Sequence, residues 1–207
     1  MPTPTLHGVG VVLRELQSSD APVLASVLAN EAVARFVHQP PASETAWARF
    51  IAWAHEQHKA GILCCWGIVP DGSSDIVGVI QLRRLDPDWH TAEWGILLAE
   101  TYWGTGLCLT ASRCALQFAF SSLNVHRIEA RVVRVNGRAQ RILEKLGAVP
   151  EATLREAFRR DGTSHDQVLW SILAAEWTAP SQNAGTTPEK LGAAISDPAS
   201  DRVPFRG

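Results

Sequence analysis

Two glycines one residue apart, in Tyr102-Trp103-Gly104-Thr105-Gly106-Leu107-Cys108, constrain this chain more than any other stretch of it. They fall between an apolar run, Trp94 to Ala99, and a helical pattern from Leu107 to Phe120. Glycine adopts backbone angles that a Cβ forbids, so the chain can turn tightly here and open a helix with several N–H groups free. Strand, glycine loop and helix in that order form an anion cradle, and a pyrophosphate suits it. The two familiar nucleotide fingerprints do not fit. One needs a third glycine where Leu109 stands, and the other needs a Lys-Ser/Thr pair where Leu107-Cys108 follow. The bland alternative is a turn with no ligand.

Around this loop the spacing predicts a mixed α/β chain. Val9 to Glu15 is a first strand, and Ser18 to Asp20 caps a helix reaching about Ala29. A short helix follows over Glu31 to Val37. Ser43 caps a longer one to Lys59, with Trp47, Phe50, Ile51 and Ala54 at helical spacing and Gly61 ending it. Leu63 to Val69 and Ile76 to Leu85 are strands around Asp71-Gly72, and Thr91 to Leu98 is the next. The helix from Leu107 would turn Leu107, Ala111, Cys114, Ala115 and Phe118 inward. His126 to Val133 alternates cleanly, and Asn136 to Leu146 is a helix closed by Gly147. A last strand pair, Val149 to Leu154 and His165 to Leu173, flanks Asp161-Gly162. The expected fold class is α+β: a mixed, mostly antiparallel sheet of about seven strands flanked by about four helices. Residues 1–177 form one domain. From 178 on the pattern dissolves into Ala, Ser, Thr, Gly and Pro, which is read as a disordered tail.

Composition removes several classes of function. A net charge of −2 gives no support to nucleic-acid binding. No apolar stretch approaches the ~18 residues of a membrane span. The start, MPTPTLHG, has no signal-peptide pattern. Cys64, Cys65, Cys108 and Cys114 lack zinc-site spacing and suit reduced, buried thiols, so a cytoplasmic protein is expected. The adjacent Cys64 and Cys65 should face opposite sides of a strand. The histidines show no metal spacing either; His55 and His58 lie three apart with no third ligand nearby.

Taken together, AEWGILLAETYWGTGLCLTA, HRIEARVVRVNGRAQRILEKLGA and LREAFRRDGTSHDQVLWSIL resemble the GNAT superfamily of acyl-CoA-dependent N-acyltransferases over about residues 9 to 176. The branch most similar holds the ribosomal-protein N-terminal (Rim-type) acetyltransferases. The resemblance implies the GNAT fold and acetyl-CoA as co-substrate, with no metal. The family loop is Gln/Arg-x-x-Gly-x-Gly/Ala; here Trp103 takes the first place, Gly106 the fourth and Cys108 the sixth. By resemblance, the N–H groups of Gly104, Thr105, Gly106, Leu107, Cys108 and Leu109 hold the pyrophosphate. Ile96, Leu97 and Leu98 pair with the pantetheine arm, and one loop N–H serves as an oxyanion donor. The family parts two strands to admit that arm.

Transfer to an amine needs the amine neutral, the thioester carbonyl polarised and the departing thiolate tolerated. Glu93, in the family's Ala-Glu pair, is read either as the base, acting through water, or as a carboxylate that orients substrate or pairs with an arginine. Asn136 is read as a pantetheine or sulfur contact, as a helix cap, or as both. Ala139 stands where Rim-type enzymes often carry a serine, and Ile142 and Leu143 where others carry a tyrosine, so the acid that would protonate the thiolate is missing from its usual places. The family forms no acyl-enzyme, which argues against Cys108 as nucleophile. Asp166, after His165, matches a family position and is read as structural or substrate-adjacent. Acceptor walls are expected from Trp89 in the turn Asp86-Pro87-Asp88-Trp89-His90 and from Phe36, His38 and Trp47. Asp86 and Asp88 either attract a cationic amine or form an ordinary turn. The expected activity is acetyl transfer to a primary amine, a protein N-terminus or a small molecule. The rival readings are an acyl-CoA-binding sensor with little or no turnover and an interaction protein acting through its tail. Several relatives dimerise, so a homodimer is compatible with the sequence.

Overall fold

The computed structural model describes residues 3–37 and 41–178. Eight strands form one sheet: β1 (Leu6–Gly8), β2 (Val11–Glu15), β3 (Leu63–Pro70), β4 (Gly78–Arg84), β5 (Thr91–Leu98), β6 (Arg127–Val133), β7 (Val149–Arg160) and β8 (Thr163–Leu173). Their order is β1-β2-β3-β4-β5-β6-β8-β7, and every neighbouring pair is antiparallel except β5–β6. The α-helices among the described residues are α1 (Ala21–Val27), α2 (Glu31–Ala34), α3 (Glu44–Lys59), α4 (Leu107–Ser121) and α5 (Gly137–Leu146). The fold is the α+β arrangement expected, with one strand more than the sequence suggested. Val9 belongs not to a strand but to the two-residue turn that pairs Gly8 with Val11, where Gly10 takes φ +74°. Three residues, Leu6–Gly8, are too few to display an alternation, so β1 has no signature in the sequence.

Strand alternation sends side chains to two separate cores. Cys64, Trp66 and Ile68 enter one, with Leu82, Trp94, Ile128 and the inner faces of α4 and α5. Leu63, Cys65 and Val69 enter the other, with α1, α2 and α3. The adjacent cysteines therefore do face opposite ways, as a period of two requires. Trp47 is wholly buried between α3 and its neighbours, which removes it from any acceptor wall.

The helix ends follow local chemistry. Ser43 Oγ accepts the Ala46 N–H at 3.2 Å, and Gly61 takes φ +67° just past α3. Histidines 55 and 58 tie α3 to neighbouring backbone: His55 Nε2 lies 2.8 Å from the Leu16 carbonyl, just past β2, and His58 Nδ1 3.0 Å from that of Leu63 in β3. On α4 the buried positions are Leu107, Ala111, Ser112, Ala115, Leu116 and Ala119. Cys114 and Phe118 are only half-buried, because the helix reaches over β1, where Cys114 lies beside Gly8, and Phe118 meets Trp66 edge-on at its rim. Among the described residues, no helix is long and apolar enough to cross a membrane, and no cluster of three His, Cys, Asp or Glu is arranged to hold a metal. The expected tail lies, from residue 179, outside the described residues, as does His38.

Candidate active site

The one parallel joint of the sheet is short. β5 and β6 pair only at Thr91–Arg127, Ala92–Ile128 and Glu93–Glu129. β5 then runs on to Leu98 against β4 alone, and β6 to Val133 against β8 alone. Parallel neighbours need a crossover, and α4 supplies it. The gap between the diverging strands is a cleft of about 1020 Å3, its open mouth included.

Backbone polarity faces this gap. Ala99 donates its N–H to Val77 O, and Leu97 O stands so close to Gly78 that a Cβ there would lie 2.3 Å from it. The odd-numbered residues at this end of β5 thus address β4. By alternation the even ones address the cleft. Of these, Leu98 O already accepts the Trp103 indole N–H at 3.0 Å, so Ile96 presents both an N–H and a C=O across the gap.

The glycine loop stands at the head of the cleft. Gly104 and Gly106 have φ +79° and +91°, and nothing lies within 4 Å of where a Cβ would sit on either. Gly106 is the N-cap of α4, which leaves the first-turn N–H groups without helical acceptors. Thr105 Oγ1 takes up the Leu107 N–H at 3.3 Å while donating to Tyr102 O. Leu107 points into the core, so its side chain serves packing. Trp103, Gly104, Cys108, Ile96, Leu97, Leu98 and Asn136 all line the cleft; Thr105, Gly106, Leu107 and Leu109 do not.

Cys108 is a thiol rather than a thiolate. Burial pushes it up to about 11, and the Ser112 hydroxyl, which donates to the Cys108 carbonyl at 2.7 Å, offsets this only in part. Asn136 caps α5, its Oδ1 accepting the Ala139 N–H at 3.2 Å, while its side chain borders the cleft. The cap and the lining position coexist in one residue.

Glu93 lies at the point where the strands part, with 6% of its surface exposed. Its Oε2 accepts from Arg83 Nη2 at 2.5 Å and Nε at 3.1 Å. Of the readings open at this residue, the arginine pair is the one the coordinates contain. Across the joint its register partner is Glu129, whose Oε1 accepts from Arg127 Nε at 2.9 Å. Arg127 also reaches Glu151, and Glu151 accepts from Ser171. A polar row therefore crosses the sheet at the base of the cleft, on the face away from α4.

Trp89 is elsewhere. Its Nε1 donates to Gly61 O at 3.0 Å at the opposite end of β5, where it anchors the β4–β5 turn and does not border the cleft. Asp86 caps that turn: desolvation is the largest single influence and raises its carboxyl, but the hydrogen bonds it accepts, chiefly from the N–H groups of His90 and Thr91, together hold it below the usual range. Asp166 Oδ1 accepts the Glu156 N–H at a bulge in β7, a structural task. Two charged residues of the cleft carry no site signal in the sequence. Arg138 stacks over Trp103, its guanidinium carbon 3.6 Å from the ring centroid, and Arg131 projects from β6. The alternation of β6 marked Arg131 as polar-facing, but nothing in it said that the neighbouring strand would turn away.

Comparison with known proteins gives the family and the fold. Residues 11–149 match the acetyltransferase (GNAT) domain family. The chain belongs to that family and is an N-acetyltransferase. It is 26% identical over 84% of its length, and 98% of the other chain, to the uncharacterized N-acetyltransferase p20 of Bacillus licheniformis. It is 29% identical to the spermidine N(1)-acetyltransferase of Vibrio cholerae over 53% of this chain and 64% of that one. Its fold matches Mycobacterium smegmatis RimJ in complex with CoA-disulfide, with a TM-score of 0.74 at 22% identity, covering 84% of this chain and 87% of that one.

Proposed function

We propose that the cleft between β5 and β6 receives acetyl-CoA from the glycine-loop side and that a primary amine takes the acetyl group there by direct attack. The observation that carries this reading is the short parallel joint with the glycine loop at its head. An extended polar chain laid against β5 meets the N–H and C=O of Ile96, with Leu97 and Leu98 beside it, much as an added strand would. The first-turn N–H groups of α4, opened by Gly104 and Gly106, suit a pyrophosphate. The open space over both glycines is room that any side chain would take away.

Acetyl-CoA supplies an activated acyl group on a thiol leaving group. The chain's residues do the rest. Trp103 and Asn136 wall the arm, and Arg138 on Trp103 adds a cation beside the loop. Cys108, held as a half-buried thiol, is a poor nucleophile, which favours direct transfer over an acyl-enzyme. Among the described residues no carboxylic acid borders the cleft to protonate the departing thiolate; with a thiol pKa of about 8.5, water suffices. The amine reacts only as its free base. An α-amine, with a pKa of about 8, is partly neutral near pH 7, whereas an alkylamine near 10.4 is not. Glu93, at the base of the cleft, receives the proton through water, with Arg83 fixing its position.

The test is calorimetric titration with acetyl-CoA alongside thiol release against amines of several classes. Binding with amine-dependent release supports the reading. Binding without release for every amine favours a sensor. Absence of binding overturns the assignment of the cleft.

A further inference from the structure

We infer that the acceptor is a small anionic amine, one carrying a carboxylate within a few bonds of its nitrogen, and that Arg131 recognises that carboxylate. This rests on the proposed use of the cleft and goes on to name its substrate class.

The charge of the lining is the first ground. Among the described residues bordering the cleft, the charged ones are Arg131 and Arg138, and there is no Asp or Glu. A polyamine site needs free carboxylates on its walls, and these walls offer only cations, the Glu93 carboxylate at the base being paired with Arg83. The two arginines are divided by position. Arg138 lies with Trp103 at the glycine loop. Arg131 leaves β6 on the face of Glu129, the same side of the sheet on which Val33 and Val37 pack with Leu97.

The second ground is that Arg131 is underused. Its nearest carboxylate, Glu129, stands 4.0 Å from Nη2 and gives its other oxygen to Arg127 at 2.9 Å. Its Nε is buried and has no hydrogen-bond partner among the described residues. A buried N–H without an acceptor is unfavourable, and a carboxylate meeting the guanidinium edge side-on supplies two acceptors at once. The third ground is enclosure. Arg160, at the tip of the β7–β8 hairpin, donates to the Ala34 carbonyl and pairs with Glu31, so the hairpin is tied to α2 beside the cleft. That tie suits a small acceptor better than an extended peptide.

The experiment compares kcat/KM for amino acids of two to six carbons, with the amine at the α or ω position, against diamines of the same lengths. Acetyl-CoA affinity is measured separately by calorimetry. The best amino acid is expected to exceed its matched diamine at least tenfold. Arg131→Gln should raise the KM for that amino acid at least tenfold, leave the Kd for acetyl-CoA unchanged and abolish the preference; Arg131→Lys should restore part of it. A diamine preferred over every amino acid, no turnover of any amino acid by protein that binds acetyl-CoA, or an Arg131→Gln protein that loses acetyl-CoA affinity in step overturns the inference. Failure of the unmodified protein to bind acetyl-CoA instead overturns the reading of the cleft on which it stands.

Discussion

Gly106→Ala separates what the loop does for the fold from what it does for a ligand. Gly106 sits at φ +91° with no protein atom within 4 Å of a would-be Cβ, so alanine meets no clash and the cost is backbone strain alone. A left-handed alanine is worse than glycine by about 1–2 kcal/mol. For a chain of this size each kcal/mol lowers Tm by about 2–4 °C, so a fall of roughly 2–8 °C is expected without ligand. Gly10→Ala is the matched control, with φ +74°, equally open space and a position in the β1–β2 turn. Both variants should melt early by similar amounts. Only Gly106→Ala should weaken acetyl-CoA, because its methyl stands where a pyrophosphate would meet the helix. Loss of one charge-assisted hydrogen bond is worth about 1.5–3 kcal/mol, or roughly 10- to 150-fold in Kd. Differential scanning fluorimetry reads the strain and calorimetry the affinity. Unchanged acetyl-CoA affinity in Gly106→Ala, or an equal loss in Gly10→Ala, would refute the reasoning.

Three further outcomes are expected. Arg83→Ala leaves the Glu93 carboxylate buried and unpaired and should lower unfolding free energy by about 3–5 kcal/mol in denaturant titration, whereas Arg83→Leu with Glu93→Leu should recover most of it. The hydrogen bond from Arg127, with help from Ser171, holds Glu151 down from 4.5 to about 2, so its stabilisation is full above about pH 4.5 and disappears as pH falls through about 2. Glu151→Gln should flatten stability across that window, modestly, since the side chain is 39% exposed. Burial pushes Cys64 up to about 12 and both Cys108 and Cys114 up to about 11, and Cys65 higher still, so the folded protein should react slowly with a thiol reagent at pH 8; a fast-reacting Cys108 would contradict the direct-transfer reading.

Much of the fold was legible because its signals are local. The Ser43 cap, the glycine stop at Gly147 and the alternation of Ile128, Ala130 and Val132 each depend on neighbours in the chain. The Asp161-Gly162 turn, with both residues at positive φ, is equally local, though β7 and β8 extend to it further than their apolar patterns indicate because Arg155, Glu156 and Arg159 lie exposed at the sheet's edge. The site was legible only in part. The loop and Asn136 could be picked out by type and spacing. The Arg83–Glu93 pair joins residues ten apart through strand register, and the parting of β5 from β6 depends on where pairing stops, which no residue announces. Trp89 and Trp47 were mistaken for walls because a tryptophan's side chain fits a pocket and a core equally well; only the tertiary setting distinguishes them.

The early end of the β5–β6 ladder also bears on how this chain avoids sticking to others. From Trp94 to Leu98, β5 carries an unpaired strand edge in the middle of a sheet rather than at its border. Such edges recruit foreign strands, and proteins ordinarily blunt them with charges, prolines or bulges. This one has none of those and is apolar throughout. Its protection is its position: β6 and α5 stand on one side, α2 and the hairpin tie at Arg160 near the other. The backbone groups suited to a ligand are thus kept from other chains, and loosening the Arg160 tie should show first as aggregation.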